Sequence, residues 1–421
     1  MKAKSVYLIL VLILIVSACS DRIIEIYTAN SPVYLSYEEL RTSVKQSDAR
    51  ELVNPGKIYF KDNYIFIVDK MKGIHVINNQ DPSNPDNMAY IEVPGNIDIA
   101  IKGNILYADS YIDLVAIDVS DIQNMTEVGR VEEVLPYTLP PFDEEYPLSR
   151  IDPDEGVVFD WEVKQVREEA EHYYYPVYRG IEGAWNKDMA TGGTGGVSSG
   201  GVGIAGSMAR FGISENTLYA VDESIMHIFS IRDQENPEHK KDFNAGWGIE
   251  TMFILDDHMF LGSQSGMRIY DISVPNSPMY LSDFWHVTGC DPVVVQNDLA
   301  YITLRGGNRC GNEFNLLVVV SIKDLSEPRE LKSYPMEGPY GLGIDGNVLF
   351  VCDGEAGLKV YNARDPMDIA NNQIARFPDI VGFDVIPLGG ILMLIGEDGL
   401  YQYDYSDVEN ILLLSKIEVG G

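Results

Sequence analysis

The stretch Asp113-Leu-Val-Ala-Ile-Asp-Val-Ser-Asp decides the fold, because it returns about every forty residues. It is preceded by Gly73-Ile-His-Val-Ile-Asn-Asn-Gln-Asp-Pro and followed by Met226-His-Ile-Phe-Ser-Ile-Arg-Asp, Gly266-Met-Arg-Ile-Tyr-Asp-Ile-Ser and Asn315-Leu-Leu-Val-Val-Val-Ser-Ile. Gly357-Leu-Lys-Val-Tyr-Asn-Ala-Arg-Asp-Pro and Gly399-Leu-Tyr-Gln-Tyr-Asp-Tyr-Ser-Asp bring the copies to seven. A period of this size, filled only by strand-like patterns, is the signature of a β-propeller. The expected fold is all-β, one seven-bladed propeller of four-stranded blades.

One repeat, Asn96 to Val134, shows the unit. Ile97-Asp-Ile-Ala-Ile-Lys reads as an inner strand A, and Gly103-Asn104 as a tight turn. Ile105-Leu-Tyr-Ala-Asp is strand B and Leu114-Val-Ala-Ile-Asp-Val strand C. After a polar loop, Thr126-Glu-Val-Gly-Arg-Val-Glu alternates like a half-exposed outer strand D. The C–D loops carry Asp with Pro or Ser, as in Asp81-Pro-Ser-Asn-Pro and Asp324-Leu-Ser-Glu-Pro, residues that reverse a chain and stop further pairing. In this register the blades start near Pro55, Gly95, Met208, Gly248, Gly289, Gly341 and Gly382.

Leu114-Val-Ala-Ile-Asp and Leu316-Leu-Val-Val-Val resemble the LVIVD-repeat family of bacterial and archaeal surface proteins, and the resemblance runs from about Pro55 to Val419. It implies a propeller and transfers no catalytic residue.

The N-terminus reads as an address. Lys2 and Lys4 precede an apolar run, Val6 to Val16, short for a membrane span, which leaves a plain secretory signal or a membrane anchor as alternatives to the lipoprotein reading. Val16-Ser17-Ala18-Cys19 then resembles a bacterial lipobox. That resemblance implies a lipoprotein signal peptide over 1–18, diacylation of Cys19 and a stable anchor of several acyl chains. Residues 19–54 become a tether and N-terminal segment, in which Pro32-Val-Tyr-Leu-Ser-Tyr suggests a strand and Glu38 to Lys45 a short helix. The propeller occupies 55–419, interrupted by a long insert, 136–207, between blades 2 and 3. In the insert, Val157-Val-Phe-Asp-Trp-Glu-Val suggests a strand, Lys164 to Glu171 a charged helical turn, and Gly192 to Gly206 flexible coil. The expected location is the bacterial cell envelope, lipid-anchored at the outer membrane and facing periplasm or surface.

The net charge is −33, and losing Lys2 and Lys4 with the signal leaves the mature chain at −35. Such a charge repels nucleic acid and anionic lipid, which excludes those partners and leaves the lipid anchor as the membrane contact.

Strand alternation alone puts the D–A connections and B–C turns on one face of the disc and the A–B and C–D turns on the other. Cys290, at the start of a strand A, and Cys310, in the B–C turn of the same blade, therefore share a face, and export permits a disulfide between them. Separate thiols or a metal pair are the alternatives, although no further ligands complete a zinc set. Cys352 reads as a buried free thiol. The starts of the A strands place Asp98, Arg210, Glu250, Asp291 and Asp384 around the channel mouth, with Trp247 and Tyr340 beside them. These seven are the candidate ligand-binding residues, for a cation, an amine or a sugar. The competing expectation is that the acids accept hydrogen bonds from loop amides and Arg210. The six histidines form no cluster: His75 and His227 lie in C strands, His258 in an A–B turn, and His286 just before Cys290. With no catalytic triad, metal set or cofactor motif, the sequence points to a non-enzymatic binding or scaffold protein for a protein or glycan partner. The alternative is a hydrolase or lyase using the channel-mouth acids.

Overall fold

The computed structural model describes residues 24–169, 202–207, 209–222, 224–285, 292–306 and 314–420. Cys19, Cys290, Cys310, Asp291 and His286 lie outside them. Seven antiparallel blades form a propeller, each built in chain order from the axis outward. Blade 1 comprises Pro55–Lys61, Tyr64–Asp69, Gly73–Asn78 and Asp86–Glu92 as strands A to D. The A strands of blades 2 to 7 are Ile99–Lys102, Phe211–Ser214, Ile249–Leu255, Val293–Gln296, Leu342–Asp345 and Gly382–Leu388.

The burial gradient follows the sequence pattern. Strands B and C are apolar on both faces because a neighbouring blade covers each face, as in Leu218, Tyr219, Ala220, Met226 and Ile228, all nearly inaccessible. Outer strands such as Arg329–Pro335 are mostly exposed and mostly polar. The A–B turns share one backbone device: Asp62, Gly103, Glu215, Asp256, Asn297, Gly346 and Gly389 all have φ between 48° and 58°. A left-handed residue there matches the turn to the right-handed twist of the hairpin. In the C–D loops the Asp carboxylates cap their own turns, Asp81 Oδ1 accepting from Ser83 N at 3.0 Å and Asp324 Oδ1 from Ser326 N at 3.0 Å. Blades are stitched side by side: Tyr107 Oη donates to Gln234 O at 2.9 Å and Tyr219 Oη to Pro275 O at 3.0 Å, each reaching the C–D loop of the next blade.

The ring closes without mixing termini in one blade. Blade 7 consists entirely of the C-terminal strands Gly382–Leu388, Ile391–Gly396, Gly399–Asp404 and Leu412–Glu418. It meets blade 1 through Leu52, which bridges Val419 and accepts from Gly420 N at 2.7 Å. Leu52, Ile58, Ile67, Ile386 and Met393 fill the seam, and Gln402 Nε2 donates to Asn79 Oδ1 at 2.7 Å within it.

The segment ahead of blade 1 is ordered around the disc. Ile24–Leu35 pairs antiparallel with Val157–Glu169, so residues 164–169, read as a helical turn, continue a strand instead. Pairing with the N-terminal strand fixes the extended form, which the charge pattern alone did not show. Tyr37–Leu40 is one helical turn with a capping box between Ser36 and Glu39. Lys45–Asp48 adds a fifth strand outside blade 1. Arg41 follows the helix and reaches blade 2, where the buried Asp113 accepts from Arg41 Nε at 3.3 Å, Arg130 Nη1 at 2.9 Å and Glu133 N at 2.9 Å.

Candidate functional site

The central channel holds the end of the insert. Ile204–Ala205 pairs antiparallel with the axis edge of strand A of blade 1, Ile204 facing Phe60 and Ala205 facing Tyr59. Val202 bridges Lys102, Gly203 N donates to Ile101 O at 2.9 Å, and Gly206 N donates to Ile58 O at 2.9 Å. The chain thus runs through the disc from the A–B-turn face to the D–A face. The last part of the run read as flexible coil is a hydrogen-bonded strap. Its glycines are dictated by space: a Cβ on Gly203 would collide with the Tyr59 ring, and one on Gly206 with the Asp384 carboxylate.

This strap meets the sequence-selected residues at the D–A mouth. Asp384 is fully buried, and its Oδ1 accepts from Ser207 N at 2.6 Å and Val385 N at 2.9 Å. Ser207 Oγ in turn accepts from Leu342 N at 3.1 Å, tying blades 6 and 7 to the strap. Asp98 is 3% exposed; its Oδ2 accepts from Lys57 Nζ at 2.7 Å, from Phe211 N at 3.1 Å and from Arg210 N. Arg210 Nε reaches Glu250 O at 3.4 Å, and Glu250 Oε1 accepts from Gln264 Nε2 at 3.2 Å. Tyr340 is buried on one side by Phe383 and carries the Arg305 guanidinium 3.8 Å from its ring centre. Trp247 is 68% exposed and stands apart from this network.

Three participants were not selected from the sequence. Lys57 neutralises Asp98, and burial pulls its ammonium pKa below the ordinary value despite that partner. Asp109 sits behind Asp98, and its Oδ1 accepts from Ile97 N at 2.8 Å and Asp98 N at 3.0 Å. Burial pushes its pKa up to about 6 in spite of those amides. Ser207 is the third. The cleft that Asp98, Asp109, Arg210, Asp222 and His227 help line encloses about 60 Å³. Pockets for small organic ligands run to about 300–1,000 Å³. Roomier grooves lie between blades 1 and 2 at the rim and on the A–B-turn side, one of about 630 Å³ against Gln46, Met88 and Met125.

Two histidines do converge, against the expectation of scattered rings. His227 Nδ1 and His239 Nε2 each lie 2.8 Å from Asp242 Oδ1, on strands C and D of blade 3. Burial disfavours charge on His227, but the flanking Asp222 and Asp242 outweigh it and leave its pKa raised. Cys352 is a buried free thiol, held above the ordinary thiol pKa by desolvation.

On the D–A face of blades 4 and 5 three described aromatic side chains are exposed: Trp247 at 68%, Trp285 at 63% and Phe314 at 59%. They belong to the D–A connection before blade 4, the end of its strand D, and the B–C turn of blade 5.

No family model and no curated protein matches the chain. Among solved structures it is similar to the periplasmic gluconolactonase PpgL of Pseudomonas aeruginosa, at 10% identity and a TM-score of 0.52, covering 87% of this chain and 96% of that one. It is also similar to BamB from Moraxella catarrhalis (8% identity, 86% and 96% covered, TM-score 0.47) and to the computationally designed Ika8 protein (10% identity, 89% and 88% covered, TM-score 0.48). At such identities the likeness is one of propeller fold alone.

Proposed function

We propose that this chain is a non-enzymatic binding or scaffold propeller of the LVIVD-repeat type, lipid-anchored at the bacterial envelope through Cys19, which offers its D–A face to a protein or glycan partner. The observation that carries this reading is the filled channel. A hydrolase or lyase working through the mouth acids needs carboxylates open to substrate, whereas Asp98 and Asp384 are buried and already accept backbone amides of the strap and of blade 3. Among the described residues of the same face, Trp247, Trp285 and Phe314 are exposed aromatic side chains. Exposed aromatic rings desolvate at little entropic cost and serve both peptide and sugar surfaces. A Cys290–Cys310 disulfide, with Asp291 following it, would brace this face at blade 5, and non-reducing peptide mapping reads it directly.

The test is affinity capture from membranes with the mature, acylated protein. A dominant partner or glycan retained by the natural chain and lost in the Trp247→Ala, Trp285→Ala, Phe314→Ala combination supports the reading. Equal capture by that folded variant overturns the assignment of the face.

A further inference from the structure

We infer that His227, His239 and Asp242 form a binding site for one borderline divalent transition-metal cation, with Zn²⁺ the best-fitting occupant. The site lies on strands C and D of blade 3, and only His227 also borders the small cleft beside Asp98 and Arg210.

The backbone builds it. His227 on strand C (Ile225–Ser230) lies directly opposite Asp242 on strand D (Glu238–Asn244), so their side chains share a face of the sheet. His239 stands three residues before Asp242, an odd spacing that would put it on the other face of a regular strand. A β-bulge interrupts the pairing there: Ile228 faces Lys241, Phe229 faces His239, and Lys240 is the extra residue. One extra residue reverses the parity and brings His239 beside Asp242.

The donor atoms are already gathered. Asp242 Oδ1 lies 2.8 Å from His227 Nδ1 and 2.8 Å from His239 Nε2, and all three donors fall within 4.8 Å of one another. Zinc bonds of about 2.0–2.1 Å in a tetrahedron separate ligand atoms by about 3.3 Å. Asp242 Oδ1 therefore needs to draw back from each imidazole nitrogen by roughly half an ångström from its hydrogen-bonded position. Asp242, with its side chain 55% exposed, has room to move.

Two further contacts prepare the rings as ligands. The far nitrogen of His227, Nε2, faces Asp222 Oδ2 at 3.6 Å, while Asp222 Oδ1 is fixed by the amides of Ser224 at 2.8 Å and Ile225 at 2.7 Å. A carboxylate behind an imidazole selects the tautomer whose other nitrogen is free to bind metal. The His239 ring packs on Phe229, with centroids 5.3 Å apart. Two imidazoles and one carboxylate suit Zn²⁺, Cu²⁺ or Ni²⁺ far better than Ca²⁺ or Mg²⁺, which prefer all-oxygen sets. Three protein donors at a partly exposed site leave a fourth position for water or for a donor from outside the chain.

The test uses tag-free, metal-stripped mature protein titrated with ZnCl₂ against a chromogenic chelator, with metal content measured after gel filtration. One zinc per chain is expected, with a Zn²⁺-dependent rise in melting temperature. His239→Ala and Asp242→Ala, both at partly exposed positions, should lose retention, and Asp222→Asn should weaken binding by roughly tenfold while keeping every direct donor. His258→Ala should leave titration unchanged. Absence of retained zinc in the natural chain overturns the inference, as does retention that survives both His239→Ala and Asp242→Ala. Circular dichroism of each variant separates loss of ligand from loss of fold.

Discussion

Gly206 rests against Asp384: Ser207, its neighbour, donates its amide to Asp384 Oδ1 at 2.6 Å, and no side chain fits between strap and carboxylate. Two residues far apart in sequence thereby tie the strap to blade 7 at the mouth of the ring. Gly206→Ala forces the strap or Asp384 to shift, and overpacking of this kind costs about 1–3 kcal/mol. Urea unfolding should show that loss; an unchanged midpoint would mean that the strap leaves the channel at little cost.

The blade 7–blade 1 seam depends on Leu52, which is 1% exposed. Leu52→Ala leaves a cavity and should cost about 2–5 kcal/mol. Removal of Val419 to Gly421 deletes its backbone partner and should act in the same direction. Thermal melts of the two variants check this, and a melt indistinguishable from the natural chain would show that the ring closes by other contacts.

Asp113 anchors three donors from two parts of the chain. Breaking a buried pair by removing one partner costs about 3–5 kcal/mol. Asp113→Ala should approach that range and expose the 37–48 segment to limited proteolysis, whereas Arg41→Ala, at the partly exposed end, should cost well under half as much. Equal losses would contradict the burial argument.

His75 is completely buried, edge-on to Tyr90 at 4.8 Å, and desolvation lowers its pKa to about 4. The folded pKa lies below the ordinary 6.5, so the unfolded chain binds the extra proton first. Stability is therefore lost as pH falls from about 6.5 toward 4, by at most roughly 3 kcal/mol. His75→Phe removes this term. The stability difference between natural chain and variant, followed by urea titration from pH 7 to pH 4.5, should move in the variant's favour on acidification; a constant difference would refute it.

The propeller was legible because its determinants are local and repeated. Each A–B turn carries a residue held near φ 50°, mostly Asp, Asn or Gly, and the C–D loops of blades 1, 2, 5, 6 and 7 each carry a carboxylate that accepts a backbone amide of its own turn. Seven copies in phase made weak signals additive. The strap was illegible because its signal is negative: Gly203 and Gly206 are set by the Tyr59 ring and the Asp384 carboxylate across the channel, and a glycine run looks the same in coil. Asp98 and Asp384 were placed at the mouth by register alone, but their partners Lys57 and Ser207 come from another blade and from the insert. The histidine pair escaped because parity counting fails across the bulge at Lys240.

The threaded channel imposes an order of assembly. Val202 to Ser207 can pair with blades 1 and 2 without the later blades, but its acceptor Asp384 lies 177 residues further along the chain. Until blade 7 is in place the disc is an open arc, and its last blade must close around an occupied axis rather than an empty one.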